Sequence, residues 1–368
     1  SIESVKVGEA NEILIKTRYP DPLLLTKLAQ VMIMEANFTD FDNPIGTGPY
    51  KFGGWEKGSE ILLLRNLFYW GSQPFFGKVH LLKIADKVER VNALQNQDID
   101  ILINVPPDKV EDLSNFHLKF IPSLEVGFLM FNLDNKYFSN KSIRQAISMA
   151  LNRKSFLTLA NGYAHLVNQF VSSGVFGYNP DLPELNFDLP HAKQIWSDEV
   201  NSFESIQIEF DFPANLKLLG DYVRDQLTQL GIEVKLNPLS ETELQEKIKS
   251  GQSGFYYLGW RSDLGDAFDF LEAVAHSKAE NSEFGIFNGM SLNDSTLDKL
   301  IEDSLQNLNV KERLAEMQKA MQILMEGVIG IPLFETDFIF AYQKDLNFEP
   351  HLDGAVFVSE ISKINPKK

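Results

Sequence analysis

Short apolar runs alternate with amphipathic stretches in the second half of the chain. Strand-like runs at 206–210, 232–236 and 255–258 are separated by helical patterns over 216–230 and 241–249. The order β-α-β-α-β predicts an α/β layer with parallel strands, because crossover helices join strands that run in the same direction.

The other apolar patterns predict further elements on both sides of this layer. Strands are expected at 13–15, 50–52, 61–64, 79–84, 99–103 and 128–133. Helical spacing predicts helices over 23–34, 86–95, 141–151, 297–308 and 310–325. In the helix over 141–151, Ile143, Ile147 and Leu151 form one apolar stripe that should face a core.

The composition narrows the classes of protein. The chain has 368 residues, enough for two or three domains. Its 34 Lys and Arg against 51 Asp and Glu give a formal net charge of -17, which disfavours nucleic acid and anionic lipid as partners. It contains no Cys, so disulfides, thiolate catalysis and zinc–thiolate sites are excluded. No run of about 18 apolar residues predicts a membrane-spanning helix.

The first residues show neither the basic region nor the apolar region of a signal peptide. We therefore expect either that the mature protein is not exported or that the beginning of the gene product is absent from this chain.

Catalytic motifs are not found. Gly46-Thr47-Gly48 is followed by Pro49 and Tyr50, not by the residues of a phosphate-binding loop, and predicts a turn before a strand. The six His residues are scattered without a partner at helical spacing, so we expect no metal site. No nucleophile with an adjacent base is visible, so we expect no enzyme and no cofactor.

One group of residues is suited to ligand binding. Tyr256, Tyr257, Gly259, Trp260 and Asp263 lie where an α/β strand ends and the chain turns. Ligands of α/β sheets bind beyond the carboxyl ends of strands. A carboxylate beside an aromatic ring can hold an organic ammonium. The alternative is that Trp260 only packs and that Asp263 caps the next helix.

The chain also resembles a known family, the family 5 solute-binding proteins, which are the oligopeptide, dipeptide and nickel receptors of ABC importers. Seven segments follow one another in the family order: 43–52 (NPIGTGPYKF), 61–66 with Tyr69 and Trp70, Arg90 with 93–94 and 98–101, Phe138 with 143–147 and 152–153, 230–234, Gly259-Trp260 with Asp263 and Asp266, and 331–333. These segments extend over nearly the whole chain.

This resemblance implies an α/β fold of the periplasmic-binding-protein type (class II) with two lobes. Mixed sheets are flanked by helices, and the first lobe is incomplete. Residues 1–42 would be the tail of an N-terminal extra domain. Residues 43–127 with 335–368 would form part of lobe I, and 128–334 would form lobe II. The hinges would lie near 125–131 and 334–342.

The resemblance also implies a function. The protein would be the extracytoplasmic component of an ABC importer, periplasmic or anchored as a lipoprotein. It would bind a short peptide in the cleft between the lobes, deliver it to the membrane permease and act as a monomer. Asp263 would pair with the peptide α-ammonium, and Tyr257, Gly259 and Trp260 would line the pocket. Asn104 and Phe128 are further candidates.

Two alternatives remain open. The cargo could be a nickel chelate, an oligosaccharide or an opine-like compound. The chain could instead be the solute-sensing domain of a transcription regulator, which would carry a helix-turn-helix segment upstream.

Overall fold

The computed structural model describes residues 1–9, 11–35, 37–200, 206–279 and 282–364. These residues form two compact units. The first contains Ser1–Lys27 and Leu124–Thr336, and the second contains Leu28–Ser123 and Asp337–Lys368. The assignment of the chain to a terminal tail, a partial lobe I and a lobe II stays a prediction.

The strands, in chain order, are β1 (Ile2–Val7), β2 (Ile13–Thr17), β3 (Tyr50–Glu56), β4 (Glu60–Arg65), β5 (Lys78–Leu82), β6 (Ile101–Leu102), β7 (His117–Phe131), β8 (Ala164–Leu166), β9 (Gln207–Pro213), β10 (Glu233–Leu239), β11 (Phe255–Arg261), β12 (Gly330–Tyr342), β13 (Leu346–Asn347) and β14 (Ser362–Lys363). The α-helices are α1 (Leu24–Ala29), α2 (Lys87–Gln95), α3 (Lys141–Ala150), α4 (Leu189–Glu199), α5 (Lys217–Leu227), α6 (Glu241–Lys249), α7 (Phe268–Phe270), α8 (Ser295–Gln306) and α9 (Val310–Glu326).

A mixed sheet organises the first unit. Its strand order is β10-β9-β11-β7-β12, and β8 pairs with β12. Strand β9 runs parallel to both β10 and β11, which confirms the parallel layer expected from the alternating pattern. Strand β7 is antiparallel to β11, so the parallel part of the sheet ends there. The mixed sheet flanked by helices is the architecture that the family resemblance implied.

Each face of this sheet carries its own hydrophobic core. On one face, Ile143 and Ile147 of α3 pack with Val223 of α5 and with strand residues such as Phe210. On the other face, α6, α8 and α9 contribute the second core, which includes Met321. The predicted stripe of α3 is therefore buried. The strands of an α/β sheet are apolar on both sides because helices cover both.

Local signals explain where several helices begin and end. Ser240 and Glu243 form a reciprocal capping box at the start of α6. Asp294 and Asn309 accept backbone N–H groups at the starts of α8 and α9. Gly231, with φ 80°, ends the helical segment before β10 in the left-handed region that favours glycine.

The second unit contains smaller sheets. Strands β3, β4 and β5 form an antiparallel sheet, and β13 pairs with β14. Short β6 pairs with the Ala341–Tyr342 end of β12. A small core gathers Phe340, Phe348 and Ile361.

Two of the predicted elements differ markedly in length from the expectation. The predicted helix over 23–34 ends at Ala29, and Val31 to Met34 are exposed. Four consecutive apolar residues give no polar face to separate from a core, and packing is what stabilises short helices. Strand β7 is longer than the predicted strand because it begins at His117, in a stretch whose apolar residues are interrupted by polar ones.

Arg144 joins two helices of the first unit. Its guanidinium donates to the carbonyls of Gly327 and Val328 at the end of α9, at 2.7 and 2.9 Å, and to the carbonyls of Phe138 and Ser139 before α3. Burial lowers the pKa of Arg144. The side chain thus satisfies carbonyls of two connecting segments, one after α9 and one before α3.

We expect Arg144→Met to lower the free energy of unfolding by about 3 kcal/mol or more, because several carbonyls would stay buried without a donor. Urea titration measures this change. The matched control is Arg224→Met on α5, whose guanidinium forms surface ion pairs with Asp221 and Asp225. Its cost should stay within about 1 kcal/mol. Equal losses for the two variants would contradict this role of Arg144.

Candidate functional site

The pairing of β7 with β11 places the predicted ligand residues on defined faces of the sheet. Arg261 lies opposite Glu125, Gly259 opposite Gly127 and Tyr257 opposite Leu129. Side chains alternate along a strand, so these three pairs share one face. The hydrophobic core on that face ends at Tyr257, and the two glycines follow it.

The facing glycines leave space that two neighbouring side chains occupy. A β-carbon on Gly127 would lie 2.4 Å from Tyr257 Oη, and one on Gly259 would lie 2.8 Å from Glu125 Oε1. The Tyr257 hydroxyl and the Glu125 carboxylate therefore lie directly over the backbone of this glycine pair. Burial, and then the Glu125 charge, raise the pKa of the Tyr257 hydroxyl, so it stays protonated as a hydrogen-bond donor.

Several charged side chains lie near the end of the face that carries Tyr257 and Gly259. Arg261 Nε lies 3.1 Å from Asp263 Oδ1, and the Asp263 side chain is 71% exposed. Burial raises the pKa of Glu125, the Arg261 guanidinium lowers it, and the Asp263 and Glu241 carboxylates raise it further. One cation and three carboxylates thus share this region of the first unit.

Trp260 points to the opposite face. Its indole Nε1 donates to Asp269 Oδ1 at 3.2 Å, and its ring packs edge-on against Phe270 and Phe287. Packing, the alternative that the sequence left open, accounts for these contacts. The part of Trp260 in ligand binding stays a prediction.

A buried ion pair holds the loop after β11. Arg313 of α9 binds Asp266 through two nitrogens, at 2.6 and 2.8 Å, and Asp266 also accepts the Phe268 N–H at 3.0 Å. Arg313 Nε donates to the Ser304 carbonyl. Asp266, and not Asp263, therefore satisfies the start of α7. Asp263 lies on the exposed part of the same loop, which the Asp266–Arg313 ion pair holds in place.

The remaining candidates lie elsewhere. Phe128 is fully buried between Phe170 and Phe270, on the same face as Trp260. Asn104 belongs to the second unit, where it is exposed and adopts a left-handed φ of 54° after β6. The ladder thus brings Tyr257 and Gly259 together on one face, while Trp260 and Phe128 lie on the other. The ligand-binding roles of Asn104, Phe128 and Asp263 are not tested by these positions.

Glu125, Gly127 and Asp269 were not among the predicted residues. Glu125 and Gly127 stand in an otherwise apolar strand (LEVGFLMF), and a charge followed by a glycine in such a strand is a signal that could have drawn attention to them. Their pairing with Arg261 and Gly259 depends on the register between distant strands. Asp269 gave no such signal.

Three other features of the described residues bear on function. No group of three or more His, Cys, Asp or Glu side chains within these ranges is placed to hold a metal ion. No described helix is long and apolar enough to cross a membrane. A groove of about 420 Å³ lies between α9 and the segment 179–185 of the first unit, and Leu182, Leu185 and Met325 contribute to its walls.

Comparison with known proteins shows the family. The sequence profile of the bacterial extracellular solute-binding proteins, family 5, middle region, matches residues 1–282. The chain belongs to this family, as the resemblance of its seven segments had indicated.

Curated relatives are identical to the chain at about a quarter of the aligned positions. It is 24% identical over 330 residues to the probable D,D-dipeptide-binding periplasmic protein DdpA of Escherichia coli, a match of 87% of this chain and 63% of the relative. It is 23% identical over 304 residues to di/tripeptide-binding protein 1 of Pseudomonas aeruginosa, a match of 79% of this chain and 55% of the relative. The chain therefore spans less than two thirds of the length of these two relatives.

Solved structures share the fold. The DppA periplasmic binding protein of Helicobacter pylori in complex with the peptide STSA superposes with a TM-score of 0.76, at 22% identity over 98% of this chain and 74% of that one. NikA of Brucella suis in complex with Fe(III)-EDTA gives a TM-score of 0.86, at 19% identity over 99% of this chain and 79% of that one.

Asp269 links the loop to Trp260 through a hydrogen bond. Its negative charge, when present, is buried and should lower the stability of the fold. Burial raises the pKa of its carboxyl to about 7, and the nearby Asp266 raises it as well, although hydrogen bonds from Trp260, the Phe270 N–H and Ser262 act in the opposite direction. An unfolded Asp titrates near 3.9. The stabilising contribution of the protonated form is therefore complete below about pH 4 and is lost as the pH rises to about 7.

We expect Asp269→Asn to unfold at higher urea concentration than the parent protein at pH 8, by a few kcal/mol in free energy, and to differ little at pH 4.5. The amide oxygen can accept the same two N–H groups, so the change removes mainly the buried charge. Asp303→Asn on the surface of α8 is the control and should have a small effect at both pH values. An effect of Asp269→Asn that is independent of pH would contradict this account.

Proposed function

We propose that this chain is the ligand-recognising part of an extracytoplasmic solute-binding protein of an ABC importer, and that its cargo is a short peptide. The observation that carries the proposal is the face of the β7–β11 ladder. There a tyrosine hydroxyl, a carboxylate and an arginine meet over a pair of facing glycines. A peptide offers the matching chemistry, because it carries an ammonium, a carboxylate and main-chain hydrogen-bonding groups.

Asp263 is the proposed partner of the peptide α-ammonium. Its carboxylate is exposed, so it is open to a ligand, and its loop is held by the buried Asp266–Arg313 pair. An ion pair of this kind gives mainly specificity, since desolvation offsets the attraction. Tyr257, Gly259 and Trp260 would support the pocket, and Asn104 and Phe128 remain further candidates.

The class of function follows from the family. Its members are extracellular solute-binding proteins. We infer that this chain transports and does not catalyse, that it acts outside the cytoplasm as a monomer, and that its macromolecular partner is the permease in the membrane. The net charge of -17 supports the inference that nucleic acid is not a partner.

The related proteins also support a short peptide as the cargo. Two relatives are named for dipeptides and tripeptides, and one solved structure holds the peptide STSA. Another solved structure of the same fold holds Fe(III)-EDTA, so a metal chelate is the alternative cargo to compare directly. A regulator would differ in carrying a DNA-binding segment upstream.

Isothermal titration calorimetry tests the cargo. We expect di- and tripeptides to bind with a Kd in the micromolar range or below, and Asp263→Asn to raise that Kd by about tenfold or more, which corresponds to about 1.4 kcal/mol. Asp303→Asn should bind as the parent protein does. Mass spectrometry of the ligand that co-purifies provides an independent identification.

Binding of a nickel chelate or an oligosaccharide without binding of any peptide would overturn the peptide proposal. Hydrolysis of a bound peptide by the pure protein would overturn the assignment as a transporter component.

A further inference from the structure

Asp263 lies at the tip of a tight turn after β11. The Gly265 N–H donates to the Ser262 carbonyl at 2.9 Å. Asp263 and Leu264 are therefore the two central residues of the turn. Gly265 adopts a φ of 63°, in the left-handed region that favours glycine. The position of the exposed Asp263 carboxylate thus depends on how the two ends of this turn are held.

The first end of the turn is fixed by the strand ladder, and the second end is fixed by Phe176. Ser262 is buried, and its N–H donates to a carbonyl of β7 at 3.2 Å. The main chain of Phe176 pairs with Asp266 in a parallel bridge. The Phe176 N–H donates to the Gly265 carbonyl at 2.9 Å, and its carbonyl accepts the Ala267 N–H at 2.8 Å. Phe176 therefore holds the backbone on both sides of Asp266.

The Phe176 side chain supports Asp266 as well. The Arg313 guanidinium lies over the Phe176 ring, with its central carbon 5.1 Å from the ring centroid. The same guanidinium binds both carboxylate oxygens of Asp266 and is almost fully buried. An aromatic face attracts a cation, and this attraction is stronger where water is excluded. Phe176 thus supports Asp266 twice, through its main chain and through Arg313.

The segment that carries Phe176 is itself anchored. Gly177 is packed so closely against the loop after β11 that a β-carbon on it would lie 2.8 Å from the Ala267 side chain. Gln318 of α9 donates to the Tyr178 carbonyl at 2.8 Å. Phe176 is therefore fixed relative to α9 and can serve as a rigid support for the loop.

We infer that Phe176 is a positioning residue of the proposed peptide site. It acts not on the ligand but through Asp266 and Arg313 on the turn, and it thereby sets where the Asp263 carboxylate meets the α-ammonium of the peptide. This inference rests on the proposed function, which assigns that ammonium to Asp263. Loss of the ring would leave the backbone hydrogen bonds in place and weaken the hold on the Asp266 side chain.

Isothermal titration calorimetry with trialanine tests this role. Phe176→Leu keeps the backbone hydrogen bonds and an apolar side chain but removes the ring face against Arg313. We expect its Kd for trialanine to rise about fivefold, which is the size of effect expected from a partly buried cation–π contact. Phe176→Tyr keeps the ring and should restore the parent Kd to within about twofold.

A double-mutant cycle separates this role from a general loss of stability. In the Asp263→Asn background, Phe176→Leu should leave the Kd unchanged, because the residue that it positions is already neutral. Phe156→Leu is the matched control, since Phe156 is fully buried in the other core of the first unit. This control should lower the urea midpoint and leave the Kd unchanged. If Phe176→Leu does not fold, Phe176→Met provides the same comparison.

Two results would overturn the inference. One is an equal rise in Kd for Phe176→Leu in the parent and Asp263→Asn backgrounds. The other is a Kd that Phe176→Leu leaves unchanged while Asp263→Asn weakens trialanine, in which case the proposed function stands and only the role of Phe176 is wrong. If the parent protein binds no peptide at all, the proposed function is wrong and the inference falls with it.

Discussion

The antiparallel ladder between β7 and β11 is the constraint on which the first unit depends. It joins the parallel strands β9 and β10 to β12. A different hydrophobic core packs against each of its two faces. Phe128 and Trp260 face one core, while Leu129 and Tyr257 face the other. A shift of one residue in this register would exchange the two faces, so burial on both sides makes the register strongly specified.

The same register produces the candidate site. Because Gly127 and Gly259 lie opposite each other, Tyr257 and Glu125 can lie flat on the sheet where other residues would carry side chains. The loop that follows is fixed by the Asp266–Arg313 pair, whose side chains are both about 6% exposed. Such a pair costs desolvation energy, and it is retained where it positions a structure. Here the structure it positions is the loop that carries Asp263.

Much of the fold was accessible from the sequence because the relevant patterns are local. Helices α3, α5 and α6 have amphipathic stripes or caps within their own residues, and the parallel order of β9, β10 and β11 follows from the helices between them. The family that the seven segments indicated is confirmed by the match over residues 1–282, and the structure gives several of the segment residues a packing role. Arg144 binds carbonyls of the segments after α9 and before α3, and Arg153, whose pKa burial lowers to about 10, donates to the carbonyl of Leu185.

The contacts that could not be predicted are those between residues far apart in the sequence. Glu125 and Arg261 are far apart in the chain, and only the strand register places them side by side. Asp266 is buried in an ion pair and Asp263 is exposed, and predicting this difference would have required the position of Arg313 on α9. Residues Val31 to Met34 show that a local pattern can also mislead. Their apolar side chains predicted a longer helix, but they are exposed and pack against no core.

Hydrogen exchange with and without a peptide is the most direct test of the claim that the β7–β11 face is where ligand binds. The account predicts slower exchange of the backbone amides of β11 and of the loop through Asp263 when the peptide is present, with no change in α5. Unchanged exchange in β11, together with protection of the segment 179–185 beside α9, would contradict it.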